Sequence, residues 1–413
     1  MNRHPDDASE LALPEYPVLE ALLSAGTEFG LYVSFDDGAH WQPLQLNLPV
    51  APVADLVVHR DDLVVATHGR SFWVLDDLTH LHQLEPTDEA NELRLFTPRA
   101  ATLSRGPGFR PNEGGAVPDP YPNGAIVQFL LPREVEVDDD DELVLEVLDA
   151  DGVKLRRVSN RPDEEKEKRD RPRRGGGDAT LPAKEGMNRY VWNLRTNDLD
   201  AIEGSVMSLA GTRGGRVPPG DYTLRLSLGE ETREVSLSVV RDPRHTEVSD
   251  ADLRARWDLM ERVADAFHRC HDAVRTIRSV RDQLEGVVAR IEAAAIEGDF
   301  EERAEAIEEK LDALEEELIQ KRSKTGQDAL NFPPRIDNQL VYLYGHVDQS
   351  NGRPTAGAYL RIEDLEKELQ PHLDALESTL DEELPAFNEA IEDAGAAGIV
   401  LPDRAAVRSR RQG

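Results

Sequence analysis

The short polar run from Ser34 to Trp41 constrains the fold more than any other stretch of the chain. It fits the pattern S-x-D-x-G-x-x-W, whose fixed positions are Ser34, Asp36, Gly38 and Trp41. Glycine supplies the positive φ of a tight turn, and short polar side chains bond nearby backbone N–H groups. The flanking segments, 30–33 and 41–46, are therefore predicted to pair as a hairpin that is covered by the indole of Trp41.

Three further strand-like runs follow this hairpin, separated by turn residues, at 53–59, 63–68 and 71–76. Evenly spaced short strands are typical of β-propeller blades. With the S-x-D-x-G-x-x-W pattern, the phrase ATHGRSFWVLDD resembles the BNR-repeat β-propellers, which include sialidases, sortilin-type receptors and xyloglucan hydrolases. The resemblance implies a partial β-propeller of one to two blades in residues 1–77. It also implies a structural Asp-box at Ser34, Asp36, Gly38 and Trp41.

The next part of the chain is predicted to be all β. Residues 78–120 are rich in Gly and Pro and are expected to form an extended connector. Residues 121–245 contain strand-length runs with alternating apolar and polar positions. The placement of Trp192 and of the Pro-Gly turn before Tyr222 resembles a small immunoglobulin-like β-sandwich of the flagellar-hook-cap type, which implies that both aromatic residues are in the core. The charged, Gly-rich insert 159–182 is expected to be disordered.

The hydrophobic period changes to three and four residues after Ser249, which predicts an α-helical domain over 249–395. Ser249 and Asp252 have the spacing of a capping box. A break at Gly298 separates two amphipathic helices, for which an antiparallel helical hairpin or bundle is the simplest arrangement. The fold class predicted for the whole chain is therefore multidomain β plus α.

Two further features belong to this helical part. Pro371 and Pro385 are expected to kink or divide the last helix, and residues 396–413 are expected to form a flexible tail. The phrase LNFPPRIDNQL, together with the order of the three regions, resembles the C-terminal part of large BNR-repeat, glycosyl-hydrolase-like proteins. The resemblance covers nearly all of residues 22–395.

The charge of the chain excludes some partners. The formal net charge is −33 and the sequence pI is about 4.7, which argues against nucleic acid and anionic membranes as partners. The acidity is dispersed along the sequence and lysine is scarce relative to arginine, as in proteins of salt-in halophiles. We therefore expect a halophilic protein.

The compartment is predicted from what the sequence contains. Cys270 is the only cysteine, so no intrachain disulfide forms and a reducing compartment is permitted. The N-terminal residues lack the apolar core of a signal peptide, and no run approaches the ~18 apolar residues of a membrane span. These features predict a cytoplasmic chain, although a longer parent chain could be exported.

No catalytic residue is predicted. Glycoside hydrolysis needs two carboxylates about 5 to 9.5 Å apart across a cleft. Asp36 matches the structural position of the Asp-box, and the strand-end carboxylates are expected to cap turns; they are Asp37, Asp76 and Asp77. His268 and His271 are three residues apart on a predicted helix and are weak candidates for metal ligands, but no second ligand pair accompanies them. Neither a metal nor another cofactor is therefore predicted.

Two functions remain open. The first is a non-catalytic interaction or assembly module, in which the sandwich and the helical hairpin dock partner chains. Its incomplete blades are expected to dock on the chain's own sandwich through the connector; the alternatives are assembly with a second copy or with a separate chain that carries the missing blades. The second is the C-terminal portion of a glycoside hydrolase-like enzyme whose catalytic blades are missing from this chain, with a glycan as a possible ligand. Activity of this chain alone is not expected under either hypothesis.

Overall fold

The computed structural model describes residues 10–12, 22–84, 92–104, 122–162, 180–208 and 210–400. The protein is mixed β and α, with several sheets followed by helices, which confirms the predicted class at this level. Its contacts divide the chain into two compact units. The first contains Met1–Leu194 and Gly220–Asp242, and the second contains Arg195–Pro219 and Pro243–Gly413.

Two antiparallel sheets begin the first unit. One contains β1 (Glu10–Ala12), β2 (Leu23–Thr27), β3 (Gly30–Ser34) and β4 (Gln42–Pro43), in that order. The other contains β5 (Val53–His59), β6 (Asp62–Thr67) and β7 (Phe72–Leu75). Because strand side chains alternate between faces, Leu31 and Val33 of the first sheet can bury themselves with Leu56, Leu63 and Val65 of the second. One face of each sheet is thereby removed from water.

The predicted hairpin is shorter than expected on its second side. The sequence pattern predicted a strand over 41–46, whereas β4 covers only Gln42–Pro43. The chain turns directly afterwards, since Leu46 has a φ of 43° and the N–H of Leu48 bonds the carbonyl of Gln45 at 2.8 Å. This left-handed residue ends the strand because a side chain rarely adopts that conformation within a ladder.

The predicted connector 78–120 contributes strands to the sheets that follow it. β8 (Arg94–Leu95) pairs with β10 (Ala125–Leu131), and β9 (Ala101–Leu103) pairs in parallel with β15 (Glu231–Arg241). The amide of Gln83 bonds both backbone groups of Thr97 at 2.9 Å, and Arg99 donates to Asp62 at 3.0 Å. These bonds link the described part of the segment to residues near the N-terminal strands, while 85–91 and 105–120 lie outside the described residues.

Two more sheets complete the first unit. One has the order β13-β10-β8, with β13 at Gly186–Trp192, and the other has the order β12-β11-β14-β15-β9. The remaining strands are β11 (Leu143–Leu148), β12 (Lys154–Ser159) and β14 (Gly220–Leu228). Trp192 is fully buried, and its ring meets that of Tyr222 edge to face with centroids 5.9 Å apart. The prediction that both residues are in the core is confirmed.

The predicted insert 159–182 begins later than the sequence suggested. Ser159 ends β12, and the next residue, Asn160, is buried. Its side-chain oxygen accepts from the N–H of Leu143 at 3.0 Å and its amide donates to the carbonyl of Val135 at 3.2 Å. These bonds hold the start of the segment in the sheet, where a polar composition alone indicated disorder. Residues 163–179 lie outside the described residues.

The described residues of the second unit contain five α-helices: α1 (Asp250–Ala293), α2 (Phe300–Leu318), α3 (Ile336–Gln349), α4 (Ala356–Ser378) and α5 (Leu384–Asp393). The predicted capping box is present, because Ser249 and Asp252 exchange side-chain to backbone bonds. Pro371 lies inside α4 without ending it. The division occurs at a π-helical turn, Thr379–Glu383, directly before the helix that contains Pro385. Residues 401–413 of the predicted tail are outside the described residues.

The segment Arg195–Pro219 corrects the predicted domain boundaries. It follows β13 and precedes β14, so the sequence placed it in the β-sandwich region 121–245. It belongs instead to the helical unit. The second unit is therefore discontinuous in sequence. Among the described residues, no helix is both long and apolar enough to cross a lipid bilayer.

Candidate functional site

The polar turn after β3 is built from its own side chains. The hydroxyl of Ser34 accepts a hydrogen bond from the N–H of Gly38 at 2.9 Å and donates to Asp36 Oδ1 at 2.9 Å. The same carboxylate oxygen accepts from the N–H of His40 at 2.8 Å. Gly38 has a φ of 85°, a conformation that glycine adopts without steric cost. Trp41 is half-buried, and its ring lies beside Gly38.

Both oxygens of the Asp36 carboxylate are engaged in this turn. Asp36 Oδ2 lies 2.6 Å from Nδ1 of His40. The side-chain hydrogen bond of His40 is the main reason why the pKa of Asp36 falls to about 2. An ionised carboxylate that already accepts local hydrogen bonds is suited to fixing a turn. It is poorly suited to proton transfer, which needs a pKa near the working pH.

The carboxylates at the end of β7 are also used locally. Asp77 is buried and accepts a hydrogen bond from the N–H of Thr79 at 3.2 Å, as expected for a turn cap. Its own N–H donates to Asp62 Oδ1 at 3.0 Å. Burial raises the pKa of the neighbouring Asp76. These contacts describe a chain turn that links the second sheet to the connector.

The two histidines considered as metal ligands anchor the chain segment Arg195–Pro219. His271 Nδ1 accepts from the N–H of Ile202 at 2.9 Å, and His268 Nε2 accepts from the N–H of Asp200 at 3.3 Å. Burial is the main cause that lowers the pKa of His271 to about 3, so its ring is neutral. In the described part of the chain, no group of three or more His, Cys, Asp or Glu side chains is arranged to hold a metal ion.

Two further anchors on α3 were missed by the sequence reading. The side chain of Asn338 accepts from the N–H of Ser208 at 2.6 Å and donates to its carbonyl at 3.0 Å. Asp348 accepts from the guanidinium of Arg195 at 2.8 Å. Both residues, like Asp337, are polar at buried positions of a helix whose other buried residues are apolar or aromatic, and that contrast is the signal that could have identified them.

The second sheet has an exposed apolar face, which we call the β5–β7 outer face. Its members point away from the buried cluster and are Val57, Val64, Ala66, Phe72 and Val74. Phe72 is 75% exposed, Val74 is 55% exposed and Val57 is 49% exposed. In the described part of the chain, no strand pairs with the outer edge of β7. A contiguous apolar patch beside an open strand edge is typical of a protein contact site.

Comparisons with known proteins give no family for this chain. No protein-family model matches it, and no curated protein matches it. Among solved structures, it is aligned with the extracellular domain of a protein named as a hybrid two-component system, BT4673 from B. thetaiotaomicron. The identity is 11% and the TM-score is 0.14, and the alignment spans 56% of this chain and 25% of that chain. A TM-score this low carries no argument about fold or function.

Proposed function

We propose that this chain is a non-catalytic assembly module that binds a protein through the β5–β7 outer face. The observation that carries the proposal is the exposure of Val57, Phe72 and Val74 on one side of a sheet whose other side is buried. Isolated exposed apolar side chains are common on protein surfaces, but a row across three strands is not. Such a face is better explained by contact with another protein than by contact with water.

The energetics are consistent with a docking surface of modest size. Complete burial of a Val or Phe side chain contributes about 1.5 to 3 kcal/mol. Because these three side chains are 49% to 75% exposed, burial of the exposed part provides roughly 3 to 5 kcal/mol, which is at the low end of the cost of association. A stable complex then requires additional contacts around this centre, since specific interfaces bury about 800 Å² on each partner.

Our interpretation of the finer architecture supports the same function. We interpret the first two sheets as incomplete propeller blades with an Asp-box, and the two sheets around Trp192 as an immunoglobulin-like sandwich. A propeller blade buries both faces against its neighbours, so an incomplete set leaves one face for another chain. Asp36 and Asp77 are occupied by turn hydrogen bonds, so the geometry favours assembly over the glycoside hydrolase alternative.

The test is sedimentation velocity of the full chain over a range of protein concentrations. Concentration-dependent association is expected, and Phe72→Glu is expected to weaken it. Phe29→Glu is the matched control, because Phe29 is 53% exposed but lies in the turn between β2 and β3. If the chain is monomeric throughout, a second copy is ruled out as the partner. If, in addition, Phe72→Glu changes neither the binding of a dye that reports apolar surface nor the binding of an identified partner protein, the proposal is wrong.

A further inference from the structure

The helical unit contains a polar cavity of about 330 Å³. Its wall is formed by residues 204–206 of the anchored segment, by α1 and α2, by the loop after α2 and by the first turn of α3. This volume is at the small end of the range for ligand pockets, roughly 300 to 1,000 Å³. No residue of the β5–β7 outer face lines this cavity. The function proposed for that face therefore does not account for the cavity.

Most charges in the cavity wall neutralise one another. Glu315 is only 2% exposed, and it accepts hydrogen bonds from Arg278 Nε at 2.7 Å and Arg281 Nη1 at 3.0 Å. Asp312 accepts from Lys321 Nζ at 2.7 Å and lies 3.2 Å from Arg281. Glu315 is the buried charge of this group, and its two arginine partners compensate it without a ligand.

Two groups in the wall keep unused capacity. Arg278 has five N–H donors, and within the described residues only Nε is bonded; its side chain is 42% exposed, so both Nη groups are open to water or to a ligand. Asp337 is 4% exposed, and its Oδ1 accepts from the N–H of Asn338 at 2.6 Å. His271 Nε2 lies 3.8 Å from Asp337 Oδ2. That separation is too long for a hydrogen bond.

The same gap leaves His271 Nε2 without a hydrogen-bond partner. Its ring accepts through Nδ1, so the proton of the neutral ring is on Nε2. That N–H is buried and has no hydrogen-bond partner among the described residues. Buried polar groups without partners are rare in proteins, and they call for a ligand or another explanation. Here the unsatisfied N–H faces the carboxyl that lines the cavity.

We propose that this cavity binds a free α-amino acid, with the ligand carboxylate on the Nη groups of Arg278 and the ligand ammonium on Asp337 Oδ2. A small zwitterion matches one unused cationic group and one unused carboxylate oxygen at the same time. A simple anion or a simple amine satisfies only one of them. With Asp337 Oδ2 engaged by an ammonium group, the carboxylate is held ionised and attracts the N–H of His271.

The protonation of Asp337 makes this binding depend on pH. Burial raises the pKa of Asp337 to about 7, and His271, which faces it from α1, is neutral. Burial also raises the pKa of the nearby Cys270 thiol, which is therefore neutral as well. The other charged groups in the wall are the paired residues Arg278, Arg281, Lys321, Asp312 and Glu315. Because an ammonium ligand selects the ionised carboxylate, the affinity should fall about tenfold between about pH 8 and about pH 6.

The experiment is calorimetric titration of the full chain with each common α-amino acid in turn, at about pH 8 and about pH 6. Propionate and ethylammonium serve as probes that carry only one of the two charges. Saturable binding of at least one amino acid is expected, with the stated pH dependence and with no binding of either single-charge probe. Absence of binding by every amino acid would overturn the proposal, as would equal binding of a single-charge probe.

Two variants separate the site from a general effect on the fold. Asp337→Asn preserves the shape of the side chain and removes the charge, so it should abolish binding while the thermal unfolding transition stays cooperative. Arg278→Gln should weaken binding at least tenfold. Arg254→Gln is the control, since Arg254 is exposed on the same helix and outside the cavity wall. Unchanged binding by a folded Asp337→Asn variant would contradict the assignment.

Discussion

Asp348 Oδ1 accepts a hydrogen bond from the backbone N–H of Arg216 at 3.0 Å, although the two residues are 132 positions apart. The same carboxylate binds the guanidinium of Arg195 at 2.8 Å through Oδ2. Burial acts to raise the pKa of Asp348, but the charges of Arg195 and Arg216 outweigh it and hold the pKa below its usual range. One side chain near the end of α3 therefore fastens both ends of the Arg195–Pro219 segment.

Removal of this carboxylate should be costly. Asp348→Ala removes one counter-charge from Arg195 and Arg216, which are both largely buried, and breaking such a pair typically costs about 3 to 5 kcal/mol. We expect a loss of this order in the free energy of unfolding, measured by chemical denaturation. Asp364→Ala is the control because Asp364 is exposed on α4, and it should change stability by less than about 0.5 kcal/mol. Equal effects of the two substitutions would contradict the role of Asp348.

The discontinuous helical unit should depend on its N-terminal segment. A fragment of residues 243–413 lacks the backbone groups that bond His271, Asn338 and Asp348. Each buried polar group left unsatisfied costs about 1 to 3 kcal/mol. The fragment should therefore unfold at a lower temperature than the helices of the whole chain, as followed by far-ultraviolet circular dichroism. An unchanged melting temperature would restore the predicted boundary at residue 249.

The buried acid Asp337 should make stability depend on pH in a defined direction. Its pKa rises from 3.8 to about 7 on folding, so the folded state holds a proton that the unfolded state releases. The contribution of Asp337 to the free energy of unfolding is complete below about pH 4 and is lost as the pH rises towards 7. The stability of Asp337→Asn relative to the unsubstituted protein should therefore increase across this window, by up to about 4 kcal/mol.

Chemical denaturation at a series of pH values measures this difference. The titration of His271 is common to both proteins and largely cancels in the comparison. Asp364→Asn is the control for removal of an exposed carboxylate, and its difference from the unsubstituted protein should be nearly flat. A flat difference for Asp337→Asn as well would show that the carboxyl of Asp337 is not desolvated in the folded protein.

Salt should stabilise the whole protein. A net charge of −33 produces self-repulsion in the compact state, and salt reduces the Debye length from about 10 Å at 0.1 M to about 3 Å at 1 M. We expect the melting temperature to rise steeply with KCl up to about molar concentration. An uncharged osmolyte at matched osmolality controls for exclusion of the solute from the surface. A melting temperature that does not change with KCl would remove the basis for the halophile hypothesis.

The parts of the fold that the sequence predicted are those set by local signals. The capping box at Ser249, the break at Gly298 and the burial of Trp192 and Tyr222 all follow from side chains near in sequence or from strand alternation. The path of Arg195–Pro219 does not, because its partners are on helices up to 132 residues away. Composition also failed at Asn160, whose buried amide is hydrogen-bonded to backbone groups although the sequence predicted disorder from residue 159.

The candidate sites also depend on contacts between residues that are distant in sequence, which local patterns do not predict. The apolar residues of β5 and β6 predicted strands, but alternation alone does not say which side of these strands is buried. The cavity depends on α1, α2 and α3 meeting around residues 204–206, and no local pattern specifies that meeting. His268 and His271 were noticed for their spacing, whereas their partners turned out to be backbone N–H groups of a distant segment.

The contacts between α3 and the Arg195–Pro219 segment also set the order in which parts of the nascent chain can fold. The ribosome completes Arg216 well before it reaches Asp348, which lies 132 residues later. At a synthesis rate of about 5 to 20 residues per second, about 7 to 26 s pass between the synthesis of Arg216 and that of Asp348. During that interval, the strands before and after the segment can each pair with their neighbours in their own sheets. The helical unit, in contrast, can close only after α3 has left the exit tunnel, so it assembles later than these strands.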